Sequence, residues 1–162
     1  MDELLDIVND KDIVIGHEMR SITHQLGLQH RGVHVFLFAP DGKMLVQKRS
    51  MDRAQSPSML DCSVSEHIKA GESYYDAAVR GMKEEMGLEE IEINPLVKFR
   101  MNYGINDNEI STLYKGVVDP NKVKFDPIEI EEVFPFSLDE LIEMIEVGNV
   151  KFCGLIEPVH LF

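Results

Sequence analysis

The stretch from residue 66 to residue 88, EHIKAGESYYDAAVRGMKEEMGL, constrains the fold more than any other part of the chain. Ser73 is a good N-cap, Asp76 follows three residues later, and Gly87 is a natural end for a helix. Apolar residues recur between them at helical spacing, which predicts one apolar face. The residues of that predicted face are Tyr75, Ala78, Val79, Met82 and Met86. The sequence therefore predicts a loop that leads into an amphipathic helix.

The other side of this helix is predicted to be charged. Arg80, Gly81, Glu84 and Glu85 fall there when successive residues are placed about 100° apart. Glutamates on a helix most often form a solvated face, but two adjacent carboxylates can also converge on one divalent ion. Glu84 and Glu85 are therefore candidate metal ligands.

The spacing of these residues resembles the signature of the Nudix family, Gly-x5-Glu-x7-Arg-Glu-U-x-Glu-Glu-x-Gly-U, in which U is aliphatic. The matching residues are Glu72, Arg80, Met82, Glu84, Glu85, Gly87 and Leu88. Two positions depart from the signature. Glu66 stands where the family has its first glycine, and Gly81 stands where it has the glutamate after the arginine. The resemblance implies an α/β fold, a Nudix-type α/β/α sandwich with a mixed β-sheet.

The resemblance also implies a chemistry. Nudix enzymes cleave a nucleoside diphosphate linked to another group, and divalent cations held by carboxylates neutralise the phosphates and activate water. A Mg²⁺ or Mn²⁺ cofactor and a small-molecule diphosphate substrate follow from it. Glu84 and Glu85 would ligate the metal, and Arg80 would orient a neighbouring carboxylate. Glu72 would hold the loop or reach the metal, and the loop backbone near residues 65–66 would add a carbonyl ligand.

Gly81 is the position that matters most for activity. The family often uses a glutamate there for metal binding or water activation, whereas a glycine inside a helix costs roughly 0.5–1 kcal/mol relative to alanine. We expect either that another residue replaces the carboxylate or that hydrolysis is weak. The substitution Gly81→Glu is accordingly expected to raise hydrolysis.

A second set of candidate ligands resembles that of the type I isopentenyl-diphosphate isomerases, a branch of the same fold. His24 and His30 precede the first core strand, and His67 lies in the predicted loop before the motif helix. Singly, each histidine is more often structural or solvated. Asp107 and Glu109 stand in a D-N-E segment where those enzymes have an E-x-E pair. The resemblance implies that these residues are further metal ligands, with Glu109 or Asp107 as general base or extra ligand.

One departure separates the chain from the isomerases. They place a catalytic cysteine two residues before the loop histidine, where this chain has Ser65, and Cys62 lies three residues further back. A hydroxyl has a far higher pKa than a thiol, so it exchanges protons poorly beside an alkene. The sequence therefore favours a metal-dependent diphosphohydrolase of the isomerase-like subgroup. An isomerase, and a diphosphate-binding module weakened at Gly81, are the alternatives.

A candidate contact for the substrate lies outside the motif. Arg49 follows a predicted strand in the segment QKRS, where it could bind a phosphate, although a solvated or salt-bridged arginine is an equal alternative. The predicted specificity loops, 49–60, 103–110 and 120–126, show no pattern that names a base.

Composition limits the partners. The chain of 162 residues is expected to be a single Nudix domain, residues 1–162. A net charge of −13 argues against a nucleic-acid backbone or an anionic membrane as partner. The acidic opening and the lack of a long apolar run predict no signal peptide, no membrane span and a cytoplasmic location. Cys62 and Cys153 are expected to be buried thiols. The chain is expected to be a monomer, or a homodimer through its apolar tail, residues 152–162.

Other segments predict the remaining elements. Strands are expected at 4–8, 13–15, 33–38, 44–48, 91–94, 97–102, 112–119 and 132–134, with the strand at 33–38 central and the one at 44–48 as its partner. Residues 19–26 predict a short helix that ends at Gly27. Ser137 and Glu140 form a capping box that opens a helix over 138–147, closed by Gly148.

Overall fold

The computed structural model describes residues 2–148, and its elements alternate strands with three α-helices. They are β1 (Leu4–Val8), β2 (Val14–Met19), α1 (Arg20–Leu26), β3 (His30–Phe38), β4 (Met44–Arg49), β5 (Leu60–Asp61), β6 (Val64–His67), α2 (Tyr74–Met86), β7 (Ile93–Asn102), β8 (Asn108–Val117), β9 (Ile130–Phe136) and α3 (Leu138–Val147). A 3₁₀ turn, Pro120–Lys122, lies between β8 and β9.

The sheet is mixed, and β3 is its central strand. β3 runs parallel to β8, with His30 opposite Glu109, and antiparallel to β6, with Gly32 opposite His67. β7 pairs with β8, and β9 and β5 both pair with β4. The pairing brings the ends of β3, β6 and β8 together, which is where the candidate site lies.

Helices cover both faces of the sheet because successive residues of β3 point to opposite sides. One core joins β3 to α2 and contains Val33, Val35, Leu37, Ala77, Ala78, Met82 and Met86. The other joins β3 and β4 to α3 and contains Phe36, Phe38, Met44, Val46, Leu141 and Ile145. The predicted α/β/α sandwich with a mixed sheet is therefore confirmed.

The ends of α2 are confirmed, but its predicted apolar face is partly wrong. The Ser73 side chain accepts a hydrogen bond from the Asp76 amide, and Gly87 takes a left-handed conformation with φ 64°. Tyr75 and Val79 are exposed, and they were predicted to be buried. Small residues and one glutamate take the buried positions instead, namely Ala77, Gly81 and Glu85. The helix turns its small residues to the sheet because they let the two backbones approach closely.

Several other predictions are confirmed. β1 and β2 form the expected hairpin, and α1 ends at Gly27 with φ 67°. The capping box of Ser137 and Glu140 opens α3, and Gly148 closes it.

Two further expectations need correction, and a third concerns residues that the structure does not describe. The segment that carries Ser65 and His67 is the strand β6 and not a loop. β4 meets β3 only where Phe38 lies opposite Met44, and it pairs mainly with β9. Cys153 and the tail 152–162 lie outside the described residues. Among the helices that the structure describes, none is long and apolar enough to span a bilayer.

Candidate metal site

A cavity of about 650 Å³ opens beside β6. Its acidic lining residues are Glu3, Asp61, Glu66, Glu84, Glu85, Asp107, Glu109 and Glu129, and its basic ones, apart from histidines, are Arg20, Arg49 and Arg53. Acids outnumber bases, so the cavity as it stands repels a diphosphate. A substrate of that charge needs a cation to enter.

Four side chains converge on one side of β6, and we call them the histidine cluster: His24, His30, His67 and Asp107. Each offers one ligand atom, and these atoms lie within 4.8 Å of one another. The three imidazole rings are 5.1–5.2 Å apart between centroids. The Nε2 atoms and the Asp107 Oδ1 atom are buried and have no hydrogen-bond partner among the described residues. Because buried polar atoms are rarely left unpaired, this donor set fits a divalent cation.

Two distances show that the members of the histidine cluster do not satisfy one another with hydrogen bonds. The Asp107 Oδ1 atom lies 3.5 Å from His24 Nε2 and 3.7 Å from His30 Nε2, beyond good hydrogen-bond length. The other nitrogen of His30, Nδ1, lies 3.0 Å from the Leu28 carbonyl oxygen. If Nδ1 carries the proton and donates it there, the Nε2 lone pair faces the cluster, as in most metal-binding histidines.

Glu109 lies behind the histidine cluster and is buried. Its Oε1 atom is 3.6 Å from His30 Nε2 and 3.5 Å from His67 Nε2, and its Oε2 accepts a hydrogen bond from Ser111 Oγ at 2.9 Å. Its carboxylate lies so close to Gly32 that a Cβ there would overlap it. Glycine at position 32 therefore makes the room that Glu109 occupies.

The charges of this group follow from burial and from one another. Burial opposes ionisation of Glu109, but the neighbouring histidines, His30 foremost, outweigh it and lower the pKa of Glu109 to about 2. Burial likewise opposes the charged ring of His30, but contact with Glu109 raises the pKa of His30. Burial lowers the pKa of His67 to about 4. Near neutral pH, His67 is thus neutral and Glu109 ionised, the forms that ligate a metal.

The motif glutamates form a second group, the carboxylate cluster: Glu66, Glu72, Glu84 and Glu85. Arg80 ties most of it together. Its guanidinium donates to both oxygens of Glu72 at 2.9 and 3.0 Å and to the His67 carbonyl oxygen at 2.8 Å. It also lies 3.3 Å from a carboxylate oxygen of Glu66 and of Glu84. Arg80 therefore contacts three of the four carboxylates of this cluster.

Glu84 and Glu85 are adjacent but lie in different environments. The Glu84 side chain is 53% exposed. Glu85 is buried, accepts a hydrogen bond from Gln47 Nε2 at 2.8 Å and one from the Ser65 amide at 3.4 Å. Burial, and then the nearby Glu66, raise the pKa of Glu85 well above its usual value. Gln47 was missed from the sequence, where it stood only as a polar residue in a predicted buried strand.

The family follows from a match over most of the chain. The model of the NUDIX domain matches residues 28–153. The chain belongs to the Nudix family. It is 32% identical to an uncharacterised Nudix hydrolase of Nostoc sp. (strain PCC 7120), an alignment that covers 99% of this chain and 95% of the relative.

Other relatives of this Nudix protein carry a different name. It is 30% identical to "Isopentenyl-diphosphate Delta-isomerase 2" of Photorhabdus laumondii, with 97% of this chain and 80% of the relative covered. The crystal structure of DR0079 from Deinococcus radiodurans has a TM-score of 0.82 at 25% identity, covering 97% of this chain and 96% of that one. The predicted Nudix and isomerase-like resemblance is thereby confirmed. Nudix hydrolases act on small molecules and use divalent cations, which agrees with the ligand clusters.

Position 65, where the isomerases have their catalytic cysteine, is a serine in this chain. Ser65 lines the cavity of this Nudix protein, whereas Cys62 is buried. The Cys62 Sγ atom donates to the Val64 carbonyl oxygen at 3.2 Å and lies 3.8 Å from His34 Nδ1. The other ring nitrogen of His34 is 2.8 Å from the Tyr103 hydroxyl. His34 was also missed, although a lone polar residue in the segment VHVFLF indicates a buried polar contact.

Arg49 lies in the cavity wall and is salt-bridged, and its contact with a phosphate stays a prediction. Its Nη1 atom is 3.4 Å from Asp61 Oδ2, and its Nε and Nη2 donate to the Gln55 carbonyl oxygen at 3.2 and 3.1 Å. These contacts hold its guanidinium at the cavity wall.

Proposed function

We propose that this protein is a divalent-metal-dependent hydrolase that cleaves a diphosphate linkage in a nucleoside diphosphate derivative or a related small molecule. The observation that carries the proposal is the presence of two ligand clusters beside one acidic cavity. One offers buried imidazole nitrogens without partners, and the other offers the carboxylates of the Nudix helix.

Each residue has a role in this proposal. When bound, Mg²⁺ or Mn²⁺ neutralises phosphate charge and makes a water more acidic. Glu84 and Glu85 hold a metal ion and Arg80 orients the site. Glu72, which Arg80 binds through both oxygens, positions the arginine or reaches the metal shell through water. His67 belongs to a second ligand set, described next.

The histidine cluster is proposed to hold an ion of its own. His24, His30, His67 and Asp107 supply the converging atoms, and imidazole ligands suit Mn²⁺ better than Mg²⁺. Glu109 is kept as general base or extra ligand. Its distances of 3.5 and 3.6 Å to His67 and His30 favour a place beside the same ion.

The substrate side of the proposal rests on the basic part of the cavity wall. Arg49 is proposed to bind a phosphate, with its Asp61 and Gln55 contacts keeping it in position. A single domain over residues 1–162, a cytoplasmic location and a monomeric or homodimeric state stay predictions from the sequence.

An isopentenyl-diphosphate isomerase is the second candidate function. The histidine cluster and the name of the Photorhabdus relative favour it. The hydroxyl of Ser65 at the cavity, with Cys62 buried away from it, disfavours it.

One assay separates these functions. The protein is incubated with Mg²⁺ or Mn²⁺ and a panel of nucleoside diphosphates, nucleoside diphosphate sugars, dinucleotides and isopentenyl diphosphate. We expect release of phosphate or nucleotide that is lost in Glu85→Gln and retained in the control Glu143→Gln, which changes an exposed glutamate on α3. Formation of an allylic isomer without release would establish the isomerase. Binding without turnover would establish a diphosphate-binding module.

A further inference from the structure

The two departures from the Nudix signature lie against each other in space. The family has glycine at position 66 and glutamate at 81, and this chain has Glu66 and Gly81. Position 66 is on β6 and position 81 is on α2, so the contact between them joins a strand to a helix. A Cβ on Gly81 would lie 2.7 Å from Cγ of Glu66 and 2.8 Å from Cγ1 of Val64. The space where a side chain would leave the helix is therefore filled by the side chains of Glu66 and Val64.

The carboxylate of Glu66 lies near Arg80 and Glu85, the residues that a glutamate at position 81 of the helix would be expected to contact. It lies 3.3 Å from Arg80 Nη1, the nitrogen that also meets Glu84. It also lines the same cavity as the buried carboxyl group of Glu85, whose pKa is raised first by burial and then by the nearby Glu66. Two carboxylates that meet away from water repel each other unless a proton or a cation lies between them. Arg80 supplies one cation beside Glu66, and a divalent ion in the cavity that Glu66 and Glu85 both line would supply a second.

His67, the residue after Glu66, also supports a metal ion at this cavity. Successive residues of a strand point to opposite faces, so Glu66 faces α2 and His67 faces the histidine cluster. His67 brings its buried, unpartnered Nε2 to the same cavity that Glu66 lines. Both side chains of this dipeptide thus present ligand atoms to one cavity from the two faces of β6.

We infer that Glu66 supplies to the metal site the carboxylate that Gly81 lacks, so that the ligand has moved from the helix to the strand beside it. This inference rests on the proposed function, because it names a ligand of the ion that the Nudix helix would hold. It also changes an expectation. Gly81→Glu alone would collide with Glu66, so we no longer expect it to raise hydrolysis unless Glu66 is shortened at the same time.

The test is a cycle of substitutions read out by Mg²⁺ binding, measured by titration calorimetry without substrate. Mg²⁺ prefers oxygen ligands, so it reports on the carboxylate cluster rather than on the imidazoles. Glu66→Gln keeps the packing over Gly81 and removes the charge. We expect it to weaken Mg²⁺ binding at least about tenfold, as loss of a ligand does. Glu66→Gly should weaken it as well.

The reciprocal exchange is the sharper half of the cycle. We expect the double variant Glu66→Gly/Gly81→Glu, which restores the family arrangement, to bind Mg²⁺ within about threefold of the natural chain, because the two positions are coupled. Gly81→Glu alone should lower the thermal unfolding midpoint and should not strengthen binding. A folded double variant that binds no better than Glu66→Gly would overturn the exchange.

Controls separate this inference from the proposed function. Glu85→Gln should abolish Mg²⁺ binding, and the control Glu143→Gln, at an exposed glutamate on α3, should leave it unchanged. If Glu85→Gln loses binding while Glu66→Gln binds as the natural chain does, Glu66 is no ligand and the proposed function stands. If neither substitution alters Mg²⁺ binding, both the inference and the assignment of metal to the carboxylate cluster fail. Because Glu66→Gln keeps the shape of the side chain, it answers the question even if the double variant does not fold.

Discussion

The histidine cluster and the carboxylate cluster meet one cavity but are held in opposite ways. Donor atoms of His24, His30 and His67 converge, and no hydrogen bond from the described part of the chain satisfies them. The carboxylates already have partners, because Arg80 binds Glu72 through both oxygens and reaches Glu66 and Glu84. Glu85 accepts hydrogen bonds from Gln47 and Ser65 instead. The first cluster is prepared for an ion in advance. The second must exchange contacts with arginine for contacts with a cation.

This difference has an energetic meaning. A cluster of unpartnered buried donors destabilises the folded chain until an ion fills it. A cluster neutralised by an arginine stabilises the chain without metal and binds the ion more weakly, since the cation must compete with the guanidinium. We therefore expect bound metal to raise the free energy of unfolding mainly through the histidine cluster. In the metal-free chain, we expect the carboxylate cluster to contribute to stability through its ion pairs.

The largest effect on the metal-free chain is expected from Arg80→Met. The substitution leaves Glu66 and Glu72 without their cation, and removing one partner of a largely buried ion pair costs about 3 kcal/mol or more. Chemical denaturation in the presence of a chelator measures this loss. The matched control is Arg100→Met, whose side chain is 54% exposed and pairs with an exposed aspartate. Equal losses for the two variants would show that Arg80 does not organise the carboxylate cluster.

The next effect is expected from Gly32→Ala, which acts on the other cluster. The new methyl group would overlap the carboxylate of Glu109 and push it out of place. Overpacking of this kind costs about 1–3 kcal/mol, and here it should also weaken Mn²⁺ binding. Gly16→Ala is the control, because it lies in a strand with nothing within 4 Å of its Cβ position. If Gly32→Ala binds Mn²⁺ as well as Gly16→Ala does, Glu109 is not part of the metal site.

The last prediction concerns the pH dependence of stability rather than stability at one pH. The pKa of His67 is lowered by burial to about 4, so between its ordinary pKa and that value the unfolded chain binds a proton that the folded chain does not. The free energy of unfolding should therefore fall as pH decreases through this window. Above the window the contribution is complete.

His67→Gln removes this titration. With a chelator present, its unfolding free energy should change less steeply between about pH 6.5 and 4, by up to about 1.4 kcal/mol per pH unit. His30, whose pKa is raised, acts in the opposite direction but is present in both proteins, so the difference isolates His67. Identical profiles for the two proteins would mean that His67 is protonated freely in the folded chain.

What the sequence could predict depends on how local each feature is. The ends of α2 were predictable because Ser73 and Gly87 act within one turn. The strand β6 was not, because its four residues lack an apolar run and are set by pairing with β3. The burial of Gly81 and Glu85, and the exposure of Tyr75, follow from how closely the helix packs on the sheet, which depends on residue size.

The site shows the same division. Glu72, Arg80, Glu84 and Glu85 lie in one continuous stretch, so its resemblance to the Nudix signature predicted them as a group. The histidines come from α1, β3 and β6, and only a family resemblance brought them together in advance. The contact between Glu66 and Gly81 was out of reach, since it depends on the packing of a strand against a helix. Both departures from the signature were visible in the sequence, but only the structure shows that the two positions lie against each other.

The most direct test of the two-cluster account is to locate bound metal. Crystals grown with Mn²⁺ would be measured at the manganese absorption edge. We expect two anomalous peaks, one within about 2.5 Å of the ligand atoms of His24, His30 and His67, and one beside Glu66 and Glu85. A peak at the carboxylates alone, with the imidazole nitrogens still without partners, would contradict the account.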